Sequence, residues 1–340
     1  MKNNLKWKYA LSASFGEQGE SYRMNNRNVI KLIPSFKELI WGGTKLRSYF
    51  GFDTPNEYTA EALVLSCREH AESTDTNGTP LSEIYSSRPE FFGSNCFKYD
   101  RFPLLIKLID TMDDISVQVH PDDEYAASVS DNWGKAQLWY VIDCEPGAYL
   151  ICGFNDELNI EDFRRRIEDD TLISAVNTYE VRKGDTFYIE PGTLHAIGKD
   201  ILLAEIGQNS ELSYRVYDYC RVDENGETRP LNIQQALDVA ITAPPTGPAG
   251  VLAPRAEIDG HYETLLGRSD YFASSLWEVE DKALISAPDG SFVSILMLEG
   301  TLKIEGLAVA ARKGDSVLLA AGSKDVSLTG TGKFIATVVE

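Results

Sequence analysis

Ser116-Val117-Gln118-Val119-His120-Pro121-Asp122-Asp123 is the stretch on which the fold reading turns. Side chains alternate along a strand, so Gln118 and His120 point to one face and can meet one metal ion. The Pro-Asp-Asp that follows ends the strand at a rim where ligands enter. Far downstream, Tyr188-Ile189-Glu190-Pro191-Gly192-Thr193-Leu194-His195-Ala196-Ile197-Gly198 places a second histidine just after a tight turn. The chain has four histidines, and two of them, His120 and His195, stand in strand-turn settings suited to metal ligation. The other two, His70 and His261, lack any partner motif and read as hydrogen-bonded structural residues.

Outward from that stretch the middle of the chain is a succession of short strands. FPLLIKLID (102–110) and ISVQVH (115–120) read as buried or half-buried strands with Asp-rich turns around them. QLWYVIDC (137–144) and AYLICGF (148–154) read as strands separated by Glu145-Pro146-Gly147, a good hairpin turn by its residues. LNIEDFRRRIEDDTLISAVN (158–177) is the clearest helical insert, and LNIQQALDVAI (231–241) reads as a second helix. Residues 81–92 are helical or irregular. The Pro/Gly-rich run Ala243–Pro254 is the best linker. Residues 270–340 are almost wholly short strands with Gly/Asp turns. A Gly-Asp pair, an apolar strand and a further turn occur twice: Gly184-Asp185 leads to His195, and Gly314-Asp315 leads to Ser323. The expected fold is mainly β, a cupin jelly roll of two related barrels with a few helical inserts, only the first barrel keeping metal-binding residues. The expected domains are a weakly ordered extension at 1–23, a metal-binding catalytic domain at 24–248 and a β domain without metal ligands at 249–340.

Composition narrows the function. A chain of 340 residues, 43% hydrophobic and 25% charged, is an ordinary globular composition with material for a sizeable core. The net charge of -20 argues against nucleic acid as the main partner, since phosphate backbones demand basic patches. A small anionic substrate remains open, because a few local Lys and Arg residues can define a pocket. Five cysteines without a CxxC pair fit reduced thiols better than a disulfide framework. No apolar run approaches the ~20 residues of a membrane span, and the start lacks a convincing signal-peptide core. A cytoplasmic enzyme is the default reading.

Neutral imidazoles with oxygen ligands suit zinc or another divalent first-row metal. At this point the residues carry a resemblance. From about residue 29 to the end, the chain resembles the short bacterial form of zinc-dependent, type I mannose-6-phosphate isomerase, a cupin enzyme. The similar blocks are Ile40-Trp41-Gly42-Gly43-Thr44-Lys45-Leu46, Arg101-Phe102-Pro103-Leu104-Leu105-Ile106-Lys107, the SVQVHPDD segment, PGTLHAIG and Tyr214-Arg215-Val216-Tyr217-Asp218-Tyr219. The resemblance implies one zinc ion per chain and interconversion of mannose 6-phosphate with fructose 6-phosphate through an enediol. It implies Gln118, His120, Gln137 and His195 as metal ligands, and Arg215 and Lys135 as catalytic residues. It implies Ser116 and Lys107 as donors to the substrate phosphate. A sugar phosphate is then the small-molecule partner, with neither nucleic acid nor membrane, and the chain is expected as a monomer or weak homodimer. Glu61, Glu190 and Glu205 are acid/base candidates by type only.

The chain departs from the family pattern at three places. Gln137 stands where the Gly-Lys-x-Glu block carries a glutamate ligand, which removes one negative charge from around the ion. Ala60-Glu61-Ala62-Leu63 replaces the usual Gly-Glu-x-Trp, and Gln208-Asn209-Ser210-Glu211 has Glu where Asp is common. Two other readings therefore stand beside the isomerase: a catalytically impaired cupin that binds a sugar phosphate as a regulatory or scaffold protein, and an isomerase for a different sugar phosphate.

Overall fold

The computed structural model describes residues 28–130, 132–222, 225–245 and 253–340. The extension expected at 1–23 and the middle of the expected linker lie outside the described residues. The described residues are mainly β, with 43% strand and 16% helix. All five cysteines are free thiols. Among the described residues, no helix is long and apolar enough to cross a membrane.

The chain forms two compact units that interleave along the sequence. One comprises Phe36–Leu63 and Leu104–Leu252. The other gathers, among the described residues, 28–35, Val64–Pro103 and Ala253–Glu340. The proposed sequence boundary at 248–249 cuts the chain once, whereas these units exchange chain at Ser35, Leu63, Pro103 and Leu252.

In the unit that carries the candidate ligands, a six-stranded sheet has the order Thr186–Ile189, Gln137–Cys144, Ile201–Gln208, Leu104–Asp110, Glu61–Leu65, Ser35–Lys37. A five-stranded sheet has the order Val176–Glu180, Tyr149–Phe154, His195–Ile197, Val117–Val119, Tyr214–Tyr217. One core draws on both sheets, with Ile109, Trp139, Val141, Leu203 and Phe187 from the first and Leu150, Cys152 and Ile197 from the second. A second core covers the other face of the five-stranded sheet. There Val117, Val119, Ala196, Tyr214 and Val216 meet Phe163 and Ile167 of the Ile160–Glu168 helix and Ala236 and Leu237 of the Ile233–Val239 helix.

This division decides where the polar residues go. With period two, Val117 and Val119 face the helices, so Gln118 between them faces the inter-sheet core. His195 shares the face of Ile197, and Arg215 lies opposite Tyr214 and Val216. In the six-stranded sheet Gln137 shares the face of Trp139, Lys107 that of Ile109, and Glu205 that of Leu203. The interior between the sheets is therefore apolar over part of its length and polar over the rest.

The helical insert is shorter than expected. It runs Ile160–Glu168, with the Asn159 side chain accepting the Asp162 N–H at 2.8 Å as a cap. Asp170 then takes a positive φ of 55°, a 3₁₀ turn follows at Leu172–Ala175, and Val176 and Asn177 enter a strand.

In the other unit Val29–Ile33 pairs antiparallel with Ser316–Leu319, inside a ten-stranded sheet otherwise built mainly from residues 256–339. Its core, including Trp277, Ile295, Met297, Leu302 and Phe334, is apolar. The repeated Gly-Asp turns are built alike. Asp185 accepts the Arg182 N–H at 2.8 Å, and Asp315 accepts that of Arg312 at 3.0 Å. Gly184 and Gly314 both have positive φ, 96° and 89°, which glycine adopts without steric cost. His261 departs from the hydrogen-bonded role expected of it. Both its ring nitrogens are buried without a partner, and the ring stacks on Trp277 at 4.0 Å. The other structural candidate, His70, is exposed.

Candidate active site

Strand pairing brings together residues far apart in sequence. His195 lies opposite Gln118, and Arg215 lies opposite Gln118 from the other side. His120 follows the end of its strand, and its ring centroid is 4.6 Å from that of His195. Gln137 is fully buried, and its Nε2 is 3.2 Å from His195 Nε2. The four residues expected as ligands thus converge at the polar part of the inter-sheet space.

The histidines are oriented for ligation. His120 Nδ1 is 2.7 Å from the Leu212 carbonyl oxygen, and His195 Nδ1 is 2.8 Å from that of Thr193. A carbonyl accepts only, so each Nδ1 carries the proton and each Nε2 presents a lone pair. Burial pushes His195 down to about 4, with the Thr193 carbonyl opposing and Lys135 assisting. Burial and Lys135 likewise hold His120 well below 6.5. Both rings are neutral at pH 7, the form that binds metals.

Two acceptors in this cluster have no hydrogen-bond partner: His120 Nε2 and Gln137 Oε1. A buried unsatisfied polar atom costs roughly 1–3 kcal/mol, so a ligand that accepted lone pairs from both would relieve that cost. Two imidazole nitrogens and two amide oxygens fit a divalent first-row cation. Gln118 Oε1 accepts a hydrogen bond from the Ser213 hydroxyl, which holds its amide in place. Among the described residues, no group of three or more His, Cys, Asp and Glu side chains could hold a metal. The donor set escapes that pattern because half of it is amide.

A buried charged network borders the ligands. Lys107 Nζ is 3.0 Å from Glu61 and 3.1 Å from Glu205, and Lys135 Nζ is 2.8 Å from Glu205. Trp139 Nε1 donates to the other Glu205 oxygen at 3.1 Å, while its ring meets His195 edge-on at 5.5 Å. Burial alone would raise the Glu205 carboxyl, but Lys107 and Lys135 hold it well below the carboxylate range. Burial lowers Lys135, Glu205 opposes, and Lys107 adds to the lowering. For Lys107 burial loses to Glu205 and Glu61, and its ammonium is raised. Two of the three Lys107 donors therefore go to carboxylates, which leaves it poorly placed for the phosphate role that the resemblance implies.

Arg215 donates from Nε to Ser116 Oγ at 3.2 Å and from Nη1 to the Pro230 carbonyl at 3.2 Å. Asp218 is committed elsewhere: it pairs with Arg221 at 2.6 Å and Arg229 at 2.5 Å. Of the carboxylates read by type, Glu61 and Glu205 are buried beside the ligands, and Glu190 is an exposed turn residue. Leu63, where the pattern usually has Trp, is fully buried within the Glu61–Leu65 strand. Sequence reading missed Ser213, the Leu212 carbonyl and the Asp218 clamp, because loop backbone and a surface-type serine carry no signal in one sequence. A cleft of ≈ 690 Å³ lined by Leu39, Ile40, Tyr58 and Arg229, among others, contains none of the ligand side chains.

The family described as phosphomannose isomerase type I, catalytic domain, matches residues 29–144. The mannose-6-phosphate isomerase cupin domain matches residues 262–339. The mannose-6-phosphate isomerase of Streptococcus mutans is 36% identical over 304 residues, covering 88% of this chain and 94% of that protein. ManA, the mannose-6-phosphate isomerase of Bacillus subtilis, is 35% identical over 314 residues, covering 89% and 96%. A crystal structure of the mannose 6-phosphate isomerase from Bacillus subtilis superposes with a TM-score of 0.82 at 34% identity, covering 91% of this chain and 99% of that one.

Proposed function

The chain belongs to the type I phosphomannose isomerase family, a cupin family of isomerases, and on that premise we propose that it interconverts mannose 6-phosphate and fructose 6-phosphate as a metal-dependent enzyme. The observation that carries the reading is the pair of buried, unpartnered acceptors on His120 and Gln137, beside His195 and the Lys135–Glu205 pair. Gln118, His120, Gln137 and His195 would hold one divalent ion, zinc foremost. When bound, the ion supplies Lewis-acid polarisation of the sugar's carbonyl and hydroxyl oxygens.

The remaining work falls to the protein. Aldose-to-ketose conversion removes the proton from C2, passes through an enediol and returns a proton to C1. Lys135 is the best-suited shuttle, since burial and the Lys107 charge lower its ammonium toward the range of a working base. Glu205 fixes Lys135 in place, and its two lysines and Trp139 leave it a poor base itself. Arg215 stays cationic, and Ser116 orients its guanidinium, which can stabilise oxyanion charge or take the phosphate. The inter-sheet position shields the enediol from water.

A coupled assay with mannose 6-phosphate, on protein of measured metal content, tests the reading. Turnover that disappears on chelation and returns with Zn²⁺ is expected; a zinc-loaded protein that turns over no sugar phosphate would sink it. The neutral Gln137 favours one competing reading, a cupin that binds sugar phosphate without converting it. That reading predicts binding without turnover, and a panel of other sugar phosphates in the same assay tests a shifted substrate.

A further inference from the structure

Resting on the metal-site reading above, we infer that metal and sugar phosphate bind this site as a linked pair, each strengthening the other, because Gln137 leaves the ligand set without a negative charge. Two observations lead there. The first is the Gln137–His195 hydrogen bond. The His195 proton lies on Nδ1, held by Thr193, so its Nε2 is an acceptor and Gln137 must offer it the amide NH₂. A carboxylate at this position would set lone pair against lone pair. The same two groups that would hold an ion therefore also bond each other, and an ion must displace that bond and draw the amide oxygen instead. Both effects weaken the hold on a metal.

The second observation is the charge count. All four donors, Gln118, His120, Gln137 and His195, are neutral. The bordering charges cancel: Lys107 and Lys135 are matched by Glu61 and Glu205. Arg215 adds a positive charge on the strand next to Gln118. A divalent ion here would leave its whole charge uncompensated among buried groups, which is costly. A phosphate dianion brings the missing negative charge. Attraction across this partly buried region is screened far less than in water. Linkage then requires that the ion raise the affinity for the anion by the same factor.

Titration with Co²⁺, followed by equilibrium dialysis and visible absorption, tests this. It is run on the whole protein alone, with saturating glucitol 6-phosphate, and with glucitol. Glucitol 6-phosphate carries the dianion but no carbonyl to isomerise. Co²⁺ is expected to bind about tenfold tighter with glucitol 6-phosphate and unchanged with glucitol. In Gln137→Glu, Co²⁺ alone binds tighter and the anion effect falls below about threefold. Gln118→Glu, whose carboxylate can still accept from Ser213, gives the same result if Gln137→Glu does not fold. An anion effect absent from the wild type, or undiminished in both carboxylate variants, overturns the linkage. Stoichiometric Co²⁺ binding that ignores the anion overturns it while the metal reading stands; no Co²⁺ binding in any condition overturns both.

Discussion

Lys135 carries the most specific expectation at the scale of single residues. If it moves the proton, Lys135→Met removes the shuttle and keeps the bulk of the stem. Turnover should then fall about 10²–10⁴-fold, the usual range for a lost acid/base group, while bound metal stays at the wild-type level. A parallel loss of metal and turnover would show instead that Lys135 supports the ligands. Arg215→Ala should behave similarly, losing about 10²–10³-fold in turnover with metal retained. Part of the residue cluster was legible in the sequence. Gln118, His120 and His195 declare themselves through period-two spacing and adjoining turns, which are local properties. Lys107 was harder, because a lysine in an apolar strand reads the same whether it meets a phosphate or a carboxylate. The carboxylate contact comes from Glu205, which strand pairing sets opposite Lys107. Glu205 did leave a trace: a carboxylate inside Ile201–Gln208, whose every residue is buried, needs a partner.

At the scale of elements, the short Lys45–Ser48 helix depends on a residue from a distant strand. Its first turn has no side-chain cap from Thr44. The Asp110 carboxylate substitutes, accepting N–H groups of Lys45 at 2.5 Å and Leu46 at 3.2 Å. Gly43 makes room, since a Cβ there would lie 2.4 Å from Asp110 Oδ1. Burial raises the Asp110 carboxyl to about 6, against the two N–H donors and Lys45. Unfolded, it would titrate near ~3.9. The folded state thus binds this proton more tightly, so the contribution to stability is complete below about pH 4 and is lost as pH rises through about 6. Asp110→Asn cannot titrate. The stability of wild type relative to Asp110→Asn should therefore decline by roughly 2 kcal/mol from pH 4 to pH 7, read from urea unfolding at each pH. A difference that is flat, or that grows with pH, would show that the N–H donors outweigh burial. The sequence marked the Trp41-Gly42-Gly43 turn but not this cap, because Asp110 lies 65 residues from Lys45.

For the whole molecule, the repeated Gly-Asp turn was legible in sequence and is built alike in both units, while the composition of each unit from separate chain segments was hidden. Local pattern reports strands, not which distant strand completes a sheet. Lys31 meets Asp315 at 2.6 Å across a sequence separation of 284. In that unit Val29 and Leu32 are almost wholly buried, on a strand hydrogen-bonded to Ser316–Leu319. Phe92 and Phe102 pack against Phe292, with ring centroids 5.4 and 5.8 Å away. A fragment of residues 249–340 keeps Phe292 and the Ser316–Leu319 strand but loses all of these partners. Each large buried apolar side chain is worth about 1.5–3 kcal/mol, and the four named here approach the whole stability of an ordinary domain. The fragment should accordingly bind a hydrophobic dye and lack a cooperative urea transition. Rejoining residues 28–35 and 64–103 through flexible linkers should restore both near-ultraviolet dichroism and cooperativity. Two-state unfolding of the isolated fragment, with native-like dichroism, would show that its own strands suffice and that the earlier segments only decorate them.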